Sequence, residues 1–384
     1  MKNNIPQGYK ATALGIIPQE WEVMLLGNLS NSISSGRNKH RDANGQYPVF
    51  GSTGIIGYSS TYEYEGPVIL VARVGANAGT LNFASGQYDV SDNTLIITIK
   101  QNVYDYNFAY NQLTHYKLNK LVFGSGQPLI TSKQLKNIRI PVPPLAEQQK
   151  IAEVLGVWDE AIEKQVRLIE KLALRKRALM QRLLSAKLRL PGFSEPWKIH
   201  KLQELFTERN ETNRTDLPLL SITGDRGVIL QTESEKRDTS NDDKSKYKRI
   251  AKGDIGYNTM RMWQGRSALS GLEGIVSPAY TIVVPNTTDV DGYYMSVLFK
   301  QPRLVYDFWT HSQGLVGDTL NCKYRDFGQV HICCPPLAEQ KAITEVLTAA
   351  DREIELAKEK LERLRRQKRG LMQQLLTGKK RVKY

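Results

Sequence analysis

The sequence predicts an α+β chain built as an internal pseudo-two-fold repeat, with two α/β globular units separated by two long antiparallel helices that form a coiled coil. Three observations predict it. The hexapeptide "PPLAEQ" occurs at Pro143 to Gln148 and again at Pro335 to Gln340, each time opening a long charged segment. Sliding the chain by 192 residues lays 143–189 on 335–381 without a gap, and 24 of those 47 positions are identical. Both globular parts are rich in short β-prone runs with Gly-containing turns. Together these divide the chain into 1–142, 143–190, 191–334 and 335–384, a globular part and a charged tail used twice.

The tails read as helices. Each starts behind a Pro-Pro pair, which ends the preceding element and suits a helix start, and no Pro follows until Pro191 or the chain end. Alternating steps of four and three select Ile343, Leu347, Ala350, Ile354, Ala357, Leu361, Leu364, Lys368, Leu371 and Leu375, nine of ten apolar. The same steps in the first copy select Ile151, Leu155, Trp158, Ile162, Gln165, Ile169, Leu172, Lys176, Leu179 and Leu183, eight of ten apolar. A period of 3.5 held over four to five heptads predicts a coiled coil, and two separate helices, each packed on its own unit, are the alternative. A helix of about 40 residues is ~60 Å long, more than a domain's width. Lys176 and Lys368 interrupt both stripes at the same place, which fits either a contact that tolerates charge or snorkelling.

The globular parts read as mixed sheets. The strand candidates are "PVILVARVGANAGTL" and "NTLIITI" in the first half, "GDIGYNTMRMW" and "AYTIVVP" in the second. A weaker echo links "IPQEWEVMLLGNL" around Trp21 to "FSEPWKIHKLQEL" around Trp197. Each half also carries an Arg just past a strand, Arg73 and Arg261, followed by Val-Ser at Val90-Ser91 and Val276-Ser277.

A chain of 384 residues, 40% hydrophobic, buries real cores. Its formal charge of +14 favours a polyanionic partner, usually nucleic acid. Cys322, Cys333 and Cys334 show neither a disulfide framework nor metal-ligand spacing, so they read as core residues in a reducing cytoplasm. Neither a signal peptide nor an apolar run of membrane-spanning length is present, so no membrane partner is expected.

Candidate DNA contacts follow from basic loops in which Gly, Ser and aromatics are interleaved. The segment 34–54 supplies Arg37, Lys39, His40 and Arg41, with Arg73 past its strand; "VFGSGQP" supplies Ser125 and Gln127, and Lys133 follows. The second half supplies Lys246, Lys248, Arg249, Arg261, Arg266, Lys323 and Arg325. Arg and Lys hold phosphates, and Arg, Lys, Asn and Gln also read base edges. Between 34 and 325 the loops of the two halves do not match, as expected when each reads something different.

Catalytic signatures are missing. The Phe-Gly-Ser-Gly of "VFGSGQP" is similar to the Phe-x-Gly-x-Gly adenosylmethionine loop of DNA methyltransferases, but no Asn- or Asp-Pro-Pro-aromatic motif accompanies it. The sequence holds no phosphate loop, no dinucleotide fingerprint and no His-Glu-x-x-His, and its five histidines are scattered. Neither a catalytic residue, a metal ligand nor a bound cofactor is assigned to this chain, which binds without catalysing.

The "PPLAEQ" openings, the helix endings "LMQRLLS" and "LMQQLLTGKKRV", and the re-entry "RLPGFSEPW" closely resemble the specificity subunit of Type I restriction-modification systems. "GYKATALGIIPQEWEV" and "GSGQPLITSKQLKNIRIPVPP" also look like that family's first recognition domain, whereas the second copy, "HSQGLVGDTLNCKYRDFGQVHICCPP", keeps little of the Gly-Ser-Gly-Gln-Pro pattern. The resemblance implies two target-recognition domains, each reading one half of a split DNA site, with the antiparallel helices as a ruler. It implies two methyltransferase (modification) subunits docked on the helices, methylating adenine N6 with S-adenosylmethionine, and ATP-driven restriction subunits using Mg. On that resemblance "PPLAEQ" appears twice because each recognition domain needs its own strut and docking site. A stand-alone DNA-binding regulator and a methyltransferase with an unrecognised site are the other readings.

Overall fold

The computed structural model describes residues 5–39, 41–123, 128–224, 226–234, 240–314 and 319–383. Two long helices dominate the element order, a first strut at Leu145–Leu183 and a second at Leu337–Leu375, each of 39 residues. The 192-residue shift carries both ends of the first onto both ends of the second. Every position of the predicted stripe is buried or half-buried in both struts. Helix exit is also repeated. Ala186 (φ 57°) and Gly378 (φ 72°), equivalent under the same shift, turn the chain through the left-handed region just past each strut.

The chain divides into two compact units, each built from its own globular part and from pieces of both struts: residues 1–168 with 357–384, and residues 169–356. In the first unit Lys368 Nζ lies 2.5 Å from Asp159 Oδ1, and Gln165 Nε2 donates to the Ala357 carbonyl at 2.9 Å. Numbers rise along one strut piece as they fall along the other, so the pieces run antiparallel. In the second unit Lys176 pairs with Asp351, and Arg175 lies 3.5 Å from Glu353, again antiparallel. The lysines that break both apolar stripes are therefore paired with Asp159 and Asp351, themselves repeat equivalents. Ion pairing rather than snorkelling explains them.

Sheet topology repeats as well. In the first unit the strands Ser30–Ser35, Thr94–Ile99, Val68–Ala72 and Leu81–Ala84 are neighbours in that order, all antiparallel. In the second, Phe206–Glu208, Tyr280–Pro285, Ile255–Asn258 and Ser267–Leu269 follow the same order. The first unit adds a second four-stranded sheet, with Tyr47–Gly51 parallel to Gln87–Val90. The second unit keeps that arrangement as two separate strand pairs, linked by a single parallel bridge between Leu219 and Ile275. Strand Val68–Ala72 is buried at all five positions, which explains its unbroken apolar run.

The main core of each unit is closed by strut ends. Ile151 and Leu155 of the first strut and Met372, Leu375 and Leu376 at the end of the second enter the core around Trp21 and Phe108. Leu183, Leu184, Ile343 and Leu347 do the same around Phe206 and Phe327. The struts thus both pair along their middles and pack on the globular parts. The expectation that all three cysteines are core residues needs correction at one. Cys322 and Cys334 are buried, but strand His331–Cys334 alternates its faces and leaves Cys333 exposed.

Candidate nucleic-acid interface

The most basic loops of the first unit gather at one end of its antiparallel sheet. Strand Val68–Ala72 delivers Arg73, whose N–H donates to the Asn93 carbonyl at 2.9 Å and whose carbonyl accepts from Ile130 N at 2.9 Å. Arg73 Nη1 donates to Ser35 Oγ at 3.2 Å, while its Nε is buried without a partner. The chain next to it is pinned by Val74 bridging to Leu129, Leu129 bridging to Phe123, and Gly75 N donating to Pro128 O at 3.0 Å.

Strand Ser30–Ser35 ends beside Arg73 at Gly36. A Cβ at Gly36 would lie 2.4 Å from the Val90 carbonyl oxygen, so only glycine lets the chain pass there. That approach allows Arg37 N and Asn38 N both to donate to Val90 O, at 3.0 and 2.9 Å, which fixes the start of the basic loop. The Arg37 side chain is 82% exposed, 4.0 Å from Glu63. Lys39, Arg41 and Lys133 are exposed as well, Lys133 on the short helix Ser132–Lys136 that Thr131 and Gln134 cap reciprocally. His40, Ser125 and Gln127 lie outside the described residues.

The second unit places its candidates around two adjoining hollows. A cleft of about 550 Å³ is lined by Lys248, Lys323 and Arg325 together with Thr259, Asn321 and Glu208. A pocket of about 340 Å³ is lined by Arg261, Arg266, Asn258, Thr223 and Tyr280. Consecutive residues Asn258 and Thr259, and Tyr280 and Thr281, separate the two. Lys246 is exposed on the approach to strand Lys248–Ile250. Lys248 lies 3.8 Å from Glu208 across the cleft. Arg249, its neighbour on the opposite strand face, commits its fork to Glu211 at 2.8 Å and Glu273 at 2.6 Å. Hydrogen bonds from Arg249, then from Arg214, hold the Glu211 carboxyl below the usual carboxylate range.

Backbone pairing corrects one equivalence expected from sequence. Thr259 N donates to Ala279 O at 3.0 Å, and Cys322 N donates to Thr259 O at 2.9 Å, repeating the two bonds made by Arg73. Thr259, not Arg261, therefore occupies the place of Arg73; Arg261 lies two residues further on, at the start of a short helical turn. The gap to Val-Ser is two residues shorter from Arg261 than from Arg73, which is the same offset. The neutral residues Asn258, Thr259 and Asn321 also line these hollows but carry no charge to mark them in the sequence, and only a strand-by-strand match of the halves singles out Thr259. Among the described residues no group of His, Cys, Asp or Glu is placed to hold a metal ion, and no helix is long and apolar enough to cross a membrane.

Comparison with known proteins places this geometry. The family description "Type I restriction modification DNA specificity domain" matches residues 18–172. The Type I restriction enzyme MjaVIII specificity subunit of Methanocaldococcus jannaschii is 25% identical over 410 residues, covering 96% of this chain and 94% of that one. Among solved structures, the S subunit of a Type I restriction-modification system from M. genitalium has a TM-score of 0.60 at 15% identity, covering 98% of this chain and 97% of the other. A chain from a study titled for complex assembly and conformational transition of the type I R-M system has a TM-score of 0.57 at 18% identity, over 94% and 99%. An α+β chain with a repeated sheet and strut is in this way similar from end to end to specificity subunits of Type I restriction-modification systems, and shares the fold of the solved S subunit.

Proposed function

We propose that this chain is the DNA-reading subunit of a Type I restriction-modification complex. Residues 1–142 and 191–334 act as target-recognition domains, each reading one half of a bipartite double-stranded site. The struts, 143–190 and 335–384, fix the spacing between the halves and hold two adenine-N6 methyltransferase subunits, to which restriction subunits add. S-adenosylmethionine, ATP and Mg act on those partners, in the cytoplasm. The chain itself positions the complex and does no chemistry.

The observation that carries this reading is the repeated framework with different side chains at its business end. Equivalent strands lead into Arg73 in one unit and Thr259 in the other, surrounded by unrelated basic loops. A duplicated scaffold with divergent loops suits two readers of two different half-sites. The test is mapping of methyladenine in genomes of host strains with and without this gene. Loss of methylation at one two-part motif is expected, and an unchanged methylation pattern overturns the reading.

A further inference from the structure

One crossing of two chain segments occurs in both units, and it carries an unsatisfied polar atom in each. In the first unit Arg73 and Leu129 lie at the crossing, fixed by Ile130 N donating to Arg73 O at 2.9 Å and by the bridge of Val74 to Leu129. In the second, Thr259 and Asn321 lie there, fixed by Cys322 N donating to Thr259 O at 2.9 Å. Leu129 and Asn321 are equivalent under the 192-residue shift. The side chain with an unpartnered atom has changed segments: in the first unit it is Arg73 opposite Leu129, in the second Asn321 opposite Thr259, whose hydroxyl is already bonded to Thr281.

Both polar side chains stand on backbone that has no freedom left. Arg73 makes its two ladder bonds, and Asn321 exchanges both of its own with Gln313, at 2.8 and 2.9 Å. Yet Arg73 Nε and Asn321 Oδ1 are buried and find no partner. Buried polar groups in folded proteins are nearly always hydrogen-bonded, so an orphan at the same place in both copies needs an explanation. A partner that arrives with bound DNA supplies one. The surroundings fit a polyanion: Lys248, Lys323 and Arg325 share the cleft with Asn321, and Arg37 leaves the strand whose Ser35 receives Arg73.

We propose that this crossing is the base-reading position of each unit, with the Arg73 guanidinium reading a guanine in one half-site and the Asn321 amide reading an adenine in the other. This rests on the DNA-recognition reading above. Guanidinium offers only donors, in a fork that matches the O6 and N7 acceptors of guanine, while an amide offers one donor and one acceptor, matching adenine N7 and N6. Flanking lysines and arginines hold phosphates and carry no base preference.

The test is selection of bound fragments from DNA randomised in both half-sites, using the full-length chain. Arg73→Lys keeps the charge and loses the fork; a guanine preference should fall about 10-fold or more at one position of one half-site, with the other half-site untouched. Asn321→Asp keeps the size and the acceptor but loses the donor; its adenine position should turn towards cytosine, whose N4 amino group donates. Arg73→Ala and Asn321→Ala serve as second variants, and each must lose preference at the same position as its partner variant. Equal weakening on all sequences, or unchanged motifs, overturns the assignment. A wild-type chain that selects no motif at all overturns the DNA-recognition reading itself, so the two failures are distinguishable.

Discussion

Glu147 and Arg381 are 234 positions apart in the chain and share a bidentate ion pair, Nε to Oε1 at 2.6 Å and Nη2 to Oε2 at 2.9 Å. Glu147 is fully buried and also accepts from Trp21 Nε1 at 3.0 Å. The other unit repeats the arrangement in full: Glu339 accepts from Arg189 at 2.6 and 2.8 Å and from Trp197 Nε1 at 3.2 Å. The next residue completes the motif. Gln148 accepts from Asp105 N and donates to Val103 O and Pro143 O, as Gln340 accepts from Asp291 N and donates to Asp289 O and Pro335 O. The recurring "PPLAEQ" is thus an internal anchor. Its Glu and Gln turn inward and fasten a strut to its globular part, and they are not available to dock a partner.

Removing Arg381 leaves the Glu147 carboxylate buried beside a single indole donor. Breaking one side of a buried pair costs about 3–5 kcal/mol, and the part exposure of Arg381 favours the lower end. Arg381→Ala should therefore destabilise the first unit by about 3 kcal/mol, and Arg189→Ala the second. Hydrogen exchange measured peptide by peptide checks this: protection should fall around Trp21 and Phe108 in the first variant, and around Phe206 and Phe327 in the second.

The left-handed turns past the struts give opposite predictions at equivalent sites. Ala186 sits at φ 57° with a Cβ that this region disfavours by about 1–2 kcal/mol, so Ala186→Gly should stabilise, by about 1 kcal/mol after the entropy of the new glycine. At Gly378 an added Cβ would lie 2.3 Å from Pro18 Cδ, so Gly378→Ala should destabilise. Thermal melting of the two variants beside the parent measures both signs.

Some of this was legible in the sequence and some was not, for physical reasons. The struts were legible because a 3.5-residue period and a gapless repeat constrain every position, and Lys176 and Lys368 stood out because they broke it. The sheets announced themselves through apolar runs such as 68–72. The partners of those lysines were not legible, since Asp159 and Asp351 look like ordinary solvent-facing acids until the antiparallel register is known. The role of Glu147 was hidden for a related reason: its guanidinium partner comes from the far end of the chain. At the interface Lys323 and Arg325 are marked by their charge, whereas nothing in the sequence marks Asn321, whose importance lies in a missing hydrogen bond.

DNA binding by the full chain should weaken steeply with salt. Six to ten phosphate contacts give a slope of log K against log salt of about −5 to −9. Arg37→Ala should reduce the magnitude of that slope by about 1 if it removes one phosphate contact, and any relaxed base preference should stay within one half-site. Titrations at several salt concentrations check the slope, and a flat response contradicts the electrostatic reading of the +14 charge.

Thiol chemistry should single out one cysteine. Burial pushes the Cys322 and Cys334 thiols up to about 12, so neither forms appreciable thiolate near pH 8. Cys333 is exposed on the strand's outer face. Iodoacetamide at pH 8 should label Cys333 first, with the other two following only on unfolding, as peptide mass spectrometry would show.

The ruler in the proposed function can be tested by lengthening it, and the register of the struts dictates how. An insertion in one strut alone would leave the 17-position separation of Asp351 and Lys368 facing a longer separation of their partners Lys176 and Asp159, so one pair would have to break. Four residues added after Gln165 and four after Ala357 lengthen both stretches equally and preserve both pairs. Four residues are a stutter that a coiled coil absorbs by local unwinding, and they add about one turn, ~5.4 Å. With B-DNA rising ~3.4 Å per base pair, the unspecified spacer of the recognised site should grow by about one to two base pairs. Both half-site sequences should stay the same, because no loop has moved within its own unit. Some affinity should be lost, since each added base pair also rotates one half-site about the DNA axis. Methylation mapping of the double-insertion variant beside the parent reads the spacer directly, and an unchanged spacer with full activity would show that the struts do not set the distance.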